Sequence, residues 1–199
     1  MTTELEKVHS QIIVCTKCEL HKTRRKAVPG EGPPDAKIMF VGEGPGQTED
    51  EQGRPFVGAT GRLLNQLLES IGLQRSEVFI TNIVKCRPPA NRAPRKIEIQ
   101  TCYPYLQKQI DLIKPRIICP LGSQAIMTLL GPTFAVSKIH GKPVRKDGQL
   151  ILPLYHPAAA LYTNSLQEVL FKDFKVLKML VTDAVPSNQI PVIEDPTVA

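Results

Sequence analysis

No apolar run in the 199 residues approaches the roughly 20 that a membrane-spanning helix needs, which argues against a helical membrane protein. The amino terminus, MTTELEKVHSQ, is amphipathic and lacks the apolar block of a secretory signal, so the expected location is the cytosol. Internal repeats and an interdomain linker are also missing, and a chain of this length buries about one substantial core, so a single domain is expected. Cysteines are few and far apart. In a reducing compartment, five of them scattered over such a chain point to metal ligation or burial rather than disulfides. Periodicity fails only beyond Val181, where DAVPSNQIPVIEDPTVA carries three prolines; residues 183–199 are expected to be a disordered or surface-draped tail to a domain spanning 1–182.

What is present is a globular composition, 42% hydrophobic and 22% charged, with a net charge of +6 that favours polyanionic partners and nucleic acid first among them. Apolar runs alternate with amphipathic segments. Runs at 37–42, 78–84, 116–122 and 150–156 read as strands; segments at 3–13, 61–72, 96–113, 123–131 and 166–181 read as helices. That alternation is the signature of a βαβ fold with a buried parallel sheet. Ligands collect at the carboxyl edge of such a sheet, so the loops carrying Gly42 to Gly46, Asn82, Gly122 with Ser123, and His156 should converge there.

Four cysteines, Cys15, Cys18, Cys86 and Cys102, are spaced as CxxC, 67 residues, then Cys-x15-Cys. Zinc and iron-sulfur clusters both accept four thiolates. Zinc ribbons supply two close pairs, whereas here only Cys15 and Cys18 are close, which tips the reading toward iron-sulfur. Ile99, Cys102, Leu106, Ile110 and Ile113 recur at helical spacing and put the Cys102 thiol on the inward face; Cys119, amid apolar neighbours in a strand, reads as core.

The glycine loop FVGEGPGQTED follows a strand, but Pro45 and the acidic QTEDE oppose a pyrophosphate and start no apolar helix. It instead sets Glu43 and backbone amides at the sheet edge, where a carboxylate can position water or stabilise a developing cation. Phe56, in a glycine-flanked polar loop, is placed to stack on a planar ligand. Asn82 interrupts an apolar run with a donor and an acceptor suited to a base edge, and Pro157 holds His156 extended at the end of the last strand. Basic groups flank these loops: Lys22, Arg24, Arg25 and Lys26; Lys85, Arg87, Arg92, Arg95 and Lys96; Lys142, Arg145 and Lys146.

Taken together, the cysteine quartet, GEGPGQTEDEQGRPFVGATGRLL, TNIVKCRPP, the PLG turn and HPAAAL resemble the family 4, iron-sulfur uracil-DNA glycosylases over roughly residues 10–180. The resemblance implies a three-layer α/β/α sandwich on a central four-stranded parallel sheet, with a 4Fe-4S cluster held by Cys15, Cys18, Cys86 and Cys102. It implies a monofunctional DNA glycosylase of the prokaryotic cytosol and nucleoid, acting on uracil-containing DNA as a monomer, with transient contacts to replication or repair proteins and none to membranes. The uracil site would comprise Gly42, Glu43, Gly44, Phe56, Asn82 and His156, with Glu43 and His156 catalytic. Better-known uracil glycosylases carry GQDPY at the glycine loop, whereas Gly44 and Gly46 stand here in place of its Asp and Tyr. Water positioning therefore falls to Glu43, with Asp50 or another acidic residue of the QTEDE run as the runner-up, and Glu43 is the candidate to exclude the thymine methyl. DNA contacts are expected from Arg87, Ser123, Ala160 and Leu161, with Leu161 or its small neighbours as the wedge that replaces a flipped base. Two other classes compete: a redox-sensing iron-sulfur DNA binder or electron carrier without glycosylase activity, and a nucleotide-dependent enzyme with structural zinc.

Overall fold

A computed structural model describes residues 3–182, 184 and 193–194. Thr3 caps the first helix, α1 (Glu4–Ile13), in a reciprocal capping box with Glu6, and Leu5, Val8 and Ile12 form its buried stripe. The chain then runs through β1 (Ile38–Gly42), α2 (Gln47–Gln52), α3 (Ala59–Ser70), β2 (Phe79–Asn82), α4 (Lys96–Ile113), β3 (Ile117–Pro120) and α5 (Ser123–Leu129). It ends with α6 (Val136–Ile139), β4 (Val144–Lys146), β5 (Gln149–Ile151), α7 (Pro157–Ala160), α8 (Asn164–Val181) and β6 (Ile193–Glu194).

Strands β2, β1, β3 and β5 lie side by side and mutually parallel, as the alternation required. The sheet is nevertheless mixed, because β4 adds antiparallel to β5 and the two-residue β6 pairs along β4. The hairpin turns at Asp147 and Gly148, both at positive φ (49° and 78°), an Asp-Gly signal between short, half-polar strands that carry no visible alternation. Pro153 interrupts the last strand, yet Leu152 and Leu154 still donate to Ile118 and Pro120 carbonyls, so extended chain reaches His156. The acidic run after the glycine loop does fold, as the six-residue α2. Apart from β6, the expected 183–199 tail lies largely outside the described residues.

Alternate strand residues feed two cores. Ile38 and Phe40 pack with α3, α7 and α8 on one face; Met39 and Val41 pack with α1, α4 and α5 on the other. Both faces of the sheet are therefore covered, and loops escape only at its ends. Among the described residues no helix is long and apolar enough to cross a membrane.

Candidate active site and cysteine site

The parallel register sets Gly42 beside Asn82, and the ladder continues past the strand ends, with Ile83 and Val84 donating to the carbonyls of Gly42 (2.9 Å) and Glu43 (3.2 Å). A cavity of about 380 Å³ opens at this edge, lined by Glu43, Gly44, Phe56, Asn82 and His156 together with Pro45, Gly46, Glu49, Thr60, Pro88, Asn91, Arg92 and Ala158. Gly42 lies beneath it. A Cβ there would run into Asn82 Oδ1 and stand 2.8 Å from the Phe56 ring, so glycine makes the room for both side chains.

Asn82 is 1% exposed, and its Oδ1 is the only buried side-chain nitrogen or oxygen among the described residues without a hydrogen-bond partner. An amide oxygen left unpaired in a protein interior costs about 1–3 kcal/mol, an expense understood at a ligand site. Facing it, His156 Nδ1 accepts from the Ala158 amide (3.1 Å). In the neutral ring the proton therefore sits on Nε2 and makes that nitrogen a donor. Burial lowers the His156 pKa to about 4, so the ring is neutral at pH 7. Gly122, at φ 85°, lets the chain pass His156, whose Cβ would lie 2.9 Å from any side chain added there.

Phe56 takes a left-handed backbone (φ 48°) that few non-glycine residues adopt. Arg75 holds it there by donating to the carbonyls of Phe56 (3.1 Å) and Pro55 (2.5 Å), and a Cβ on Gly61 would collide with the Phe56 carbonyl. Its ring lies 5.6 Å from that of His156. Glu43 is half-buried, its carboxylate has no hydrogen-bond or ion-pair partner among the described residues, and burial raises its pKa above the ordinary carboxylate value.

Several expected contributors sit elsewhere. Asp50 is 2% exposed, accepts the Arg25 amide on both oxygens (3.0 and 3.1 Å) and does not line the cavity, so its carboxylate serves the fold. Ala160 is wholly buried against α3 and α8, and Leu161 packs half-buried on the same core, because α7 turns that side inward. Ser123 is exposed at the start of α5, and Arg87 sits beside the cavity, donating to Asn91 (2.7 Å). Lys85, counted among the basic flank, is 1% exposed and closed to solvent. The third basic group, Lys142, Arg145 and Lys146, belongs to the hairpin edge and contributes no lining.

The sequence pattern named Arg92 only as a flanking cation and Glu49 only within the acidic QTEDE run, and it overlooked Tyr162. Glu49, hidden in an acidic run, accepts the Val57 and Gly58 amides (2.9 and 3.0 Å) and so closes the Phe56 loop over α2. Arg92 lines the cavity and forks onto the buried Glu98 (2.9 and 2.6 Å); the six-residue offset between them crosses a loop and leaves no periodic signal. Tyr162 is 93% exposed, one residue past Leu161; an isolated aromatic after HPAAAL was the available clue.

All five cysteines are free thiols, and Cys15, Cys18, Cys86 and Cys102 line one small cavity while Cys119 is buried in the sheet. Arg24 donates to Cys86 Sγ (2.9 Å) and the Lys85 amide to Cys102 Sγ (3.3 Å). Burial raises the Cys18 and Cys86 thiols and pushes Cys102 to about 11, so bare sulfurs here hold their protons at neutral pH. Among the described residues no His, Cys, Asp or Glu group is arranged to hold one metal ion. Four convergent thiols without disulfides, two already receiving N–H donors, fit a larger sulfur-bound group.

The sequence profile of the Uracil DNA glycosylase superfamily matches residues 29–179. A type-4 uracil-DNA glycosylase of Sulfurisphaera tokodaii is 50% identical over 185 residues, covering 88% of this chain and 84% of the relative. Those of Archaeoglobus fulgidus and Thermotoga maritima are 45% and 40% identical, covering 86% and 89% of this chain and 90% and 94% of theirs.

Proposed function

The chain belongs to the uracil DNA glycosylase superfamily, and from that premise we propose how its pocket excises uracil from DNA. Its reaction is hydrolysis of the bond joining uracil to deoxyribose, which releases the base and leaves an abasic site. A base in a duplex must first leave the stack.

The observation that carries the assignment of roles is the unpaired Oδ1 of Asn82. A uracil edge offers N3–H to that oxygen and O4 to the amide nitrogen, whereas cytosine presents an acceptor at N3 and a donor at C4. Placing cytosine there would set acceptor against acceptor and donor against donor, a mismatch that discriminates strongly in a buried site. Phe56 stacks on the ring. As the glycosidic bond breaks, electrons flow onto uracil, and the Nε2–H of His156 donates to O2 and stabilises the anion. A neutral imidazole suits this task, since it donates without giving up its proton. Glu43 faces the sugar side as the unpaired carboxylate that orients water and offsets the oxocarbenium charge.

The wedge role moves from Leu161 to Tyr162, because Leu161 and Ala160 are committed to the core and the exposed tip of this loop is the phenol ring. Arg87, Ser123 and the exposed Lys22, Arg25 and Lys26 serve as phosphate contacts. The cysteine quartet suits a 4Fe-4S cluster, which Cys15, Cys18, Cys86 and Cys102 would hold through their thiolates. When bound, the cluster supplies a covalent brace among the Cys15 loop, the Cys86 loop and α4.

Asn82→Ala and His156→Ala should each cut single-turnover uracil release by roughly 10²-fold or more, the scale of losing one preorganised donor or acceptor. Normal release by either variant would overturn that residue's assignment.

A further inference from the structure

Lys85 reads in the sequence as one more cation of a basic loop, but its ammonium is buried and turned inward. Its three hydrogens go to neutral oxygens: Thr81 Oγ1 at 2.6 Å, Gln109 Oε1 at 2.7 Å and the Asn82 carbonyl at 2.8 Å. No carboxylate pairs with it among the described residues. Burying an ammonium without an ionic partner is costly, and a core in need of filling alone would accept an apolar side chain.

The place of the Asn82 carbonyl explains the choice. Strand β2 is the edge of the sheet, and its outward-facing Ile80 exchanges both backbone hydrogen bonds with Glu31 (2.9 and 2.7 Å). Two residues further on, in the same orientation, Asn82 has no strand beside it. Lys85 Nζ supplies the missing donor. Lys85 is itself anchored at both ends of its backbone, its amide on Cys102 Sγ (3.3 Å) and its carbonyl on the Val28 amide (2.8 Å). Gln109, another of the three acceptors, is fixed by donating to the Pro29 carbonyl (2.7 Å).

We propose that Lys85 is a positioning residue for base recognition, which ties down the Asn82 main chain so that Oδ1 stays aimed into the pocket. The inference rests on the reading of Asn82 as the group that meets the uracil edge. It makes the last turn of β2, rather than the Asn82 side chain alone, the recognition device.

The test is a double-mutant cycle on the holoenzyme, read by single-turnover release from uracil-containing DNA and by affinity for abasic product DNA. Lys85→Met should lower the release rate roughly 100-fold, the cost of an ångström-scale misplacement, while product-DNA affinity stays within about threefold. On the Asn82→Ala background the same substitution should cost nothing further, because its effect passes through that side chain. Undiminished release by Lys85→Met, or a loss that multiplies in full with that of Asn82→Ala, overturns the inference. If circular dichroism shows Lys85→Met misfolded, Thr81→Val decides instead, since it removes one acceptor and keeps the ammonium: a smaller loss, again absent on the Asn82→Ala background, supports the proposal, and an additive one overturns it. Undiminished release by Asn82→Ala itself removes the reading of Asn82 and this inference together, an outcome distinct from additivity.

Discussion

At the residue scale, two partly buried groups, His156 and Glu43, both leave their working protonation state as the pH falls. His156 titrates at about 4 when folded, below its ordinary 6.5, so on acidification the unfolded chain takes up the proton first. Its contribution to stability is complete above pH 6.5 and is lost progressively as the pH falls toward 4. The neutral donor, however, survives through that window. In the proposed role Glu43 acts as a carboxylate, and since burial raises its pKa, the release rate is expected to show an acid limb from Glu43 above pH 4.5. Glu43→Gln should erase that limb and lower the plateau by roughly 10²- to 10⁴-fold. A pH–rate profile with the limb unchanged in Glu43→Gln would assign it to another group. Asn82, His156 and Glu43 were legible as polar residues at strand ends. Their protonation states were not, because desolvation and the Ala158 hydrogen bond exist only once the loops are assembled.

At the element scale, the site is made by turns that end strands and start short helices. Pro157 opens α7 and turns Ala160 and Leu161 onto α3 and α8, which leaves Tyr162 as the solvent-facing tip. Tyr162→Ala should slow release from double-stranded DNA by about tenfold or more while leaving single-stranded DNA almost unaffected, since base stacking on an aromatic is worth about 1–3 kcal/mol and only a duplex must be held open. Tyr162→Phe should retain the wild-type ratio; equal losses on both substrates for Tyr162→Ala would remove the wedge role. Helical periodicity placed α4 at its observed limits and put Cys102 on the packed side. It could not say which side of the four-residue α7 faces inward, because one turn has no period to read. Strand β4 escaped for a related reason: its three residues are too few to alternate.

At the scale of the whole molecule, the quartet gathers thiols from the amino-terminal loop, the loop after β2 and α4 around one cavity, from segments 67 and 15 residues apart. The purified protein should contain about four irons and four acid-labile sulfides per chain with visible brown absorbance. Cys102→Ala should lose that absorbance, and, because metal binding is folding free energy of several kcal/mol, thermal unfolding should shift down on the order of 10 °C. One zinc per chain, found by metal analysis in place of iron, would refute the cluster. By itself the sequence determined the α/β alternation, the four parallel strands, the cysteine quartet and the identity of the strand-end residues, because periodicity and motif spacing are local properties of a chain. Only the tertiary structure decided that Asn82 Oδ1 is unpaired, that Asp50 is spent on the Arg25 amide, that Leu161 is held by the core and that Lys85 faces inward. Each of those depends on what another segment brings within hydrogen-bonding or packing distance, and no local pattern records that.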